Sequence, residues 1–87
     1  MPKIFIPPQM RDLTAGQTEV VIDAETLRQV IAGLEQQFPG IAERLQEDDR
    51  IVSGLAVAID GMVTSRGLLA RVKHESEIHF LPAIGGG

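Results

Sequence analysis

Few residues in this chain of 87 are equipped for covalent chemistry, and their settings narrow the choice quickly. Ser53, Ser65 and Ser76 supply hydroxyls, and His74 and His79 supply imidazoles. No serine stands in the Gly-x-Ser-x-Gly context that exposes a nucleophile on a sharp turn. Without cysteine or a His-x-x-x-His helix the two histidines do not make a ligand set, so no metal site is expected. Asp48 and Asp49 lie in the polar run Glu47 to Arg50, where nothing raises a carboxyl pKa toward acid–base work. Gly85-Gly86-Gly87 lacks the following lysine and helix that make a phosphate-binding loop. What remains is the carboxylate of Gly87 itself. Gly86 and Gly87 carry no Cβ, so the acyl carbon is open on both faces. The residues Pro82 to Gly87 span up to roughly 20 Å, enough to pass through a channel that excludes a folded body. A carboxylate is inert to nucleophiles until phosphate chemistry activates it, and the plainer reading of such an end is a disordered terminus.

Composition removes several classes of function. Twelve acidic against eight basic residues give a formal charge of −4, which disfavours nucleic acid and anionic lipid as partners. Phe5, Phe38 and Phe80 are the only aromatic residues, too few for a base-stacking platform. Cysteine is absent, so disulfides and thiolate chemistry are excluded. No apolar run approaches the roughly 20 residues of a membrane span. The start Met1-Pro2-Lys3-Ile4 does not read as a signal peptide, and a soluble cytoplasmic protein is expected.

The elements that must carry this end are short and aliphatic. Lys3 to Ile6 reads as a strand closed by Pro7-Pro8, and Thr18 to Ile22 as a second strand pairing with it. Gln9 to Gly16 reads as a loop. Leu27, Val30, Ile31, Leu34 and Phe38 recur on one face of a helix. Thr26 and Gln29 fit a capping box at its start, with Asp23 and Glu25 placing negative charge there, and Pro39-Gly40 stops it. A short helical turn follows over Ile41 to Leu45, then a solvated loop over Glu47 to Arg50. Leu55 to Ile59 is a strand, Asp60-Gly61 a tight turn before Met62 to Thr64, and Glu77 to Leu81 the last strand. Gly67 to Val72 gives no clear pattern.

One amphipathic helix needs one sheet face to cover. The expected fold is α+β, a β-grasp or ubiquitin-like roll with a mixed sheet of four to five strands on one main helix. Residues 1–81 form the domain and 82–87 a flexible diglycine tail. Alternation points Ile4, Ile6, Leu55, Val57, Ile59, Ile78 and Phe80 at the helix, and Phe5, Ala56, Ala58, His79 and Leu81 away from it. Those five form an expected partner surface, against the plainer reading that scattered surface apolar residues are normal.

Several segments resemble the MoaD/ThiS family of sulfur-carrier proteins. Arg11-Asp12-Leu13-Thr14-Ala15-Gly16 is similar to the family's Arg-x-Leu-Thr-x-Gly loop, and Phe38-Pro39-Gly40-Ile41 with Arg44-Leu45 to its Pro-Gly-Ile and Arg-Leu segment. Phe80-Leu81-Pro82-Ala83-Ile84-Gly85-Gly86-Gly87 is similar to its last strand, proline, apolar pair and diglycine, with Gly85 where Ala is more usual. The resemblance implies a carrier rather than an enzyme, with no cofactor of its own. A ubiquitin-activating-type adenylating partner would use ATP to join the Gly87 carboxylate to AMP, and a sulfur donor would leave a thiocarboxylate. A second partner, a molybdopterin-synthase large subunit or a cysteine-synthase-like enzyme, would accept the sulfur, and in the former case this chain would be the synthase's small, non-catalytic subunit. Gly86 and Gly87 would be the reacting site, with Pro82, Ala83, Ile84 and Gly85 guiding the tail. Two alternatives stand beside it: a ubiquitin-like modifier forming isopeptide conjugates, and an inert β-grasp interaction domain.

Overall fold

A computed structural model of the chain describes residues 1–83. In order come β1 (Lys3–Phe5), β2 (Glu19–Val21), α1 (Leu27–Gln37) and the single turn α2 (Ala42–Leu45). A small hairpin of β3 (Gln46–Glu47) and β4 (Arg50–Ile51) follows, then β5 (Leu55–Ile59), β6 (Met62–Val63) and β7 (Glu77–Pro82). The main sheet has five strands in the order β2-β1-β7-β5-β6. Only β1 and β7 pair in parallel; the other neighbours are antiparallel. A mixed sheet covered by one main helix is the β-grasp arrangement expected from the sequence.

The capping residues of α1 behave as expected in kind but not in detail. Thr26 Oγ1 accepts from the Gln29 N–H at 3.3 Å, while Gln29 Oε1 accepts from the Glu25 N–H, one residue before the cap, at 2.7 Å. Leu27, Val30, Ile31 and Leu34 are buried on the sheet, and Phe38 packs half-buried at the rim. Glu35 reaches past the helix end, its carboxylate accepting from the N–H groups of Ala42 (2.9 Å) and Gly40 (3.0 Å). Those backbone donors, Ala42 first, hold the Glu35 carboxyl below its ordinary pKa.

Two segments differ from the sequence expectation. Glu47 to Arg50 is a hairpin rather than a loop: Asp48 and Asp49 both adopt positive φ, 51° and 62°, the geometry of a tight hairpin turn. Asp49 is ion-paired to Arg28 on α1, which fastens this hairpin to the helix. The unpatterned stretch Gly67 to Val72 is a 3-10 turn (Gly67–Leu69) followed by an extended leg that clamps the entry to α1. Ala70 accepts from the Leu27 N–H at 2.9 Å and Val72 donates to Glu25 at 3.0 Å. The first turn of a helix has N–H groups without partners inside it, and this leg supplies one.

The core lies between α1 and the sheet. Ile4, Ile6, Val57, Ile78 and Phe80 are buried as the alternation requires, and Leu55 and Ile59 pack half-buried at its margin. The Arg11 to Gly16 loop folds on itself: Arg11 Nε donates to the Ile6 carbonyl at 3.1 Å, buried Thr14 donates to Gln17 at 2.9 Å, and Gly16 takes φ +82°. At the base of β7, Asp60 accepts from the Glu77 N–H and from the Ser76 hydroxyl, each at 2.9 Å. Ser76 Oγ in turn accepts from the Lys73 N–H at 2.8 Å. The Glu77 N–H, then the Ser76 hydroxyl, hold the Asp60 carboxyl below its ordinary range.

Helix α1 and the segment leaving β2 approach closely at Gly33, where an added Cβ would fall 2.5 Å from Ile22 Cγ2. Overpacking costs roughly 1–3 kcal/mol, against about 1 kcal/mol gained by alanine in a helix. Gly33→Ala is therefore expected to destabilise by about 1 kcal/mol, lowering the thermal midpoint by about 4–8 °C. In an Ile22→Ala background the same change should raise the midpoint; a loss that persisted there would place the cause elsewhere. Asp60→Asn keeps a residue that suits the turn but weakens its grip on Ser76 and Glu77. Because the folded carboxyl titrates below its ordinary value, its contribution is complete above that value and lost as pH falls through the lowered one. Denaturant melts should show the variant less stable than the parent at neutral pH, with the gap narrowing as pH falls below about 4.

Candidate functional site

β7 delivers the chain to its carboxyl end while paired on both sides. Its register sets Lys3, Ile4 and Phe5 against Glu77, Ile78 and His79, and Leu55 through Ile59 against Pro82 through Ile78. The strand runs one residue past the boundary expected after Leu81, because Pro82 still lies abreast of Leu55. Proline is tolerated there because it stands at the strand end, where a ladder donor can be spared. The next residue is tethered too: the Ala83 N–H donates to the Gly54 carbonyl at 2.9 Å. Gly54 has φ +87°, a conformation that glycine adopts without strain. Of the six residues expected to guide or form the reacting end, Pro82 and Ala83 thus belong to the sheet's exit, both exposed. Ile84, Gly85, Gly86 and Gly87 lie outside the described residues. Covalent geometry limits four residues to a reach of about 14 Å, less than the roughly 20 Å available to six.

The face of the sheet turned from α1 is built in rows by the strand registers. Glu19, Phe5, His79, Ala58 and Val63 lie abreast across all five strands, and Leu81 lies abreast of Ala56 one step nearer the exit. The Phe5 and His79 rings stack with centroids 4.2 Å apart and an interplanar angle of 4°. Lys3 Nζ stands 6.0 Å from the Phe5 ring centre and 4.0 Å from Glu19. Phe5, Ala56 and His79 are half-buried and Leu81 is exposed.

Ala58 corrects the expectation of a contact residue. It is on this face but only 6% accessible, since its methyl group lies low between its cross-strand neighbours His79 and Val63. It sets the depth of the surface rather than offering area. Lys3, Val21 and Val63 belong to the same face and were not singled out from the sequence. Val21 and Val63 could have been found by extending the strand alternation into β2 and β6, whereas Lys3 needed the Phe5 ring position.

The candidate catalytic groups of the interior do not assemble. Ser76 spends its hydroxyl on Asp60, the His79 ring is stacked on Phe5, and His74 Nδ1 lies 3.3 Å from the amino group of Met1. Ser53 and Ser65 are exposed. Among the described residues no three His, Cys, Asp or Glu side chains gather as a metal set, and no helix is long and apolar enough to cross a membrane.

The arrangement is that of a β-grasp protein with one apolar-centred outer face and a tethered exit beside it. Residues 4–87 match the ThiS family, and the chain belongs to that family. It is 32% identical over 90 residues to the sulfur carrier protein CysO of Mycobacterium bovis, covering 97% of this chain and 96% of that protein. The fold superposes on a chain from the crystal structure of the Amycolatopsis orientalis BexX/CysO complex with a TM-score of 0.91 at 28% identity, over 100% of both chains. The Mycobacterium tuberculosis CysO crystal structure gives 0.88 at 27% identity, over 97% of this chain and 100% of that one. A small archaeal modifier protein from Methanosarcina acetivorans shares the fold, with a TM-score of 0.78 at 22% identity over 99% and 95% of the two chains. The function named for the mycobacterial CysO relative, and the one this chain has, is that of a sulfur carrier.

Proposed function

We propose that the sulfur is carried as a thiocarboxylate on Gly87, made by a separate adenylating enzyme. The Gly87 carboxylate attacks the α-phosphorus of ATP, forming the acyl-adenylate and releasing pyrophosphate. A sulfur nucleophile then attacks the acyl carbon and AMP departs. This chain acts as co-substrate: it supplies the acyl group and no catalytic side chain, and ATP binds the partner. The observation that carries the reading is the family match running through Gly87, joined to an exit fixed by the Ala83–Gly54 bond. Gly85 and Ile84 then lead the acyl group from that exit into the partner's centre. The likeness to the carriers named CysO favours a cysteine-synthase-like acceptor over a molybdopterin-synthase subunit.

Intact mass spectrometry tests the chemistry directly. Mixed with its adenylating partner, ATP and sulfide, the chain should gain the mass of one oxygen replaced by sulfur, and the Gly87 deletion should not. An unchanged mass with an active partner would sink the proposal. The outer face is expected to dock on that partner, because it lies beside the exit and its centre is apolar. Leu81→Asp, at an exposed position, should slow thiocarboxylate formation about tenfold without moving the thermal midpoint. Gln36→Asp, exposed on α1, should leave the rate unchanged. Equal rates for the two variants would remove the outer face from the docking surface.

A further inference from the structure

A second surface lies at the opposite end of β5 from the exit. Leu55 faces Pro82 at one end, and Ile59 faces Met62 at the other, about 13 Å along the strand. There β6 forms the open edge of the sheet. A hollow of 330 Å³ opens beside that edge, lined by Ile59, Met62, Val63, Ala70, Arg66 and Arg71 among others. Met62, abreast of Ile59, is 75% exposed, while Val63 turns its side chain to the outer face and lends this edge its backbone. Two arginines stand over it in a chain whose formal charge is −4. Among the described residues neither Arg66 nor Arg71 makes a salt bridge.

The backbone under both arginines is fixed. Thr64 Oγ1 accepts from the Arg66 N–H at 3.0 Å, and the 3-10 turn Gly67–Leu69 follows directly. Arg71 forms a β-bridge with Thr26, between the two hydrogen bonds that clamp Ala70 and Val72 to the start of α1. The edge itself has something to offer. Ile59 and Met62 flank the two-residue turn, and the Thr64 N–H donates to Val57. Antiparallel alternation therefore turns both the N–H and the C=O of Val63 away from β5, toward open space. An exposed apolar side chain, an outward-facing N–H and C=O, and two arginines outside any salt bridge among the described residues converge on one strip.

We propose that this strip binds an extended acidic peptide segment of a protein partner. An aliphatic side chain of the segment rests on exposed Met62 beside half-buried Ile59, its backbone pairs with Val63, and flanking carboxylates meet Arg66 and Arg71. Because the strip and the exit lie at opposite ends of β5, the segment can be held while the carboxyl end is engaged elsewhere. The inference does not depend on the thiocarboxylate chemistry and would stand if that failed.

Titration of the 15N-labelled full chain with the acetylated, amidated heptapeptide Glu-Asp-Val-Ile-Val-Asp-Glu tests it. Amide shifts should move at Met62 to Arg66 and at Ala70 and Arg71, with half-saturation below about 1 mM. The double variant Arg66→Glu, Arg71→Glu alters two exposed side chains, and should keep the parent's amide spectrum away from the strip while weakening binding at least about tenfold. Replacing the Val-Ile-Val core of the peptide with Gly-Ser-Gly should weaken it comparably. Shifts confined to the Phe5, His79 and Leu81 face would overturn the proposal. So would equal binding of the Gly-Ser-Gly peptide or of a short oligothymidylate, since either would reduce the strip to a general polyanion contact.

Discussion

β7 cannot slip. It is paired in parallel with β1 and in antiparallel with all five residues of β5, so its register is fixed from both sides. A shift of one residue would exchange Ile78 and Phe80, buried under α1, for His79 and Leu81. The same constraint that closes the core therefore decides what the outer face presents and where the chain leaves the sheet. The Asp60 carboxylate at one end of β7 and the Gly54–Ala83 bond at the other hold the strand's two limits. The outer face and the place where the chain leaves the sheet are both consequences of one ladder.

What could be read from the sequence was whatever a period or a local signal encodes. The apolar spacing of α1, the Thr26 cap, the Asp60-Gly61 turn and the inward set on β1, β5 and β7 depend on near neighbours, and the structure has them. The segments that could not be read are held by distant partners. Gly67 to Val72 has no pattern of its own because its order comes from Glu25 and Leu27 across the fold. Asp48 and Asp49 looked like solvated charge because nothing local announces that Arg28 will meet the turn they make. Ala58 was assigned to the correct face, but its burial depends on the bulk of His79 and Val63 on two other strands. For the site, the exit strand was legible, whereas the tether on Ala83 was not, because Gly54 belongs to a turn before β5 with only its positive φ to distinguish it.

The Arg11 to Gly16 loop illustrates how a family-like motif divides between structure and function. Arg11 and Thr14 are occupied with backbone carbonyls, and Gly16 takes a left-handed turn. Each of those residue types is accounted for by the need to carry the chain from β1 to β2 without leaving polar groups unpaired. Nothing in the loop has to touch a reacting atom. The motif is therefore accounted for by the fold.

The ionisable groups point the same way. Where the surroundings move a carboxyl pKa, at Glu35, Asp49 and Asp60, the movement is downward, caused by backbone N–H groups for Glu35 and Asp60 and by Arg28 for Asp49. Each change strengthens the charged form and ties a turn or a helix end in place. A general acid or base needs the opposite, a pKa drawn toward the working pH by burial or like charge. Buried Thr14 and Ser76 are likewise fully spent on loop geometry. These polar groups thus serve rigidity, holding the turns, the end of α1 and the start of β7 in place. That rigidity fixes the register of β7 and, through the Ala83–Gly54 bond, the place where the chain leaves the sheet.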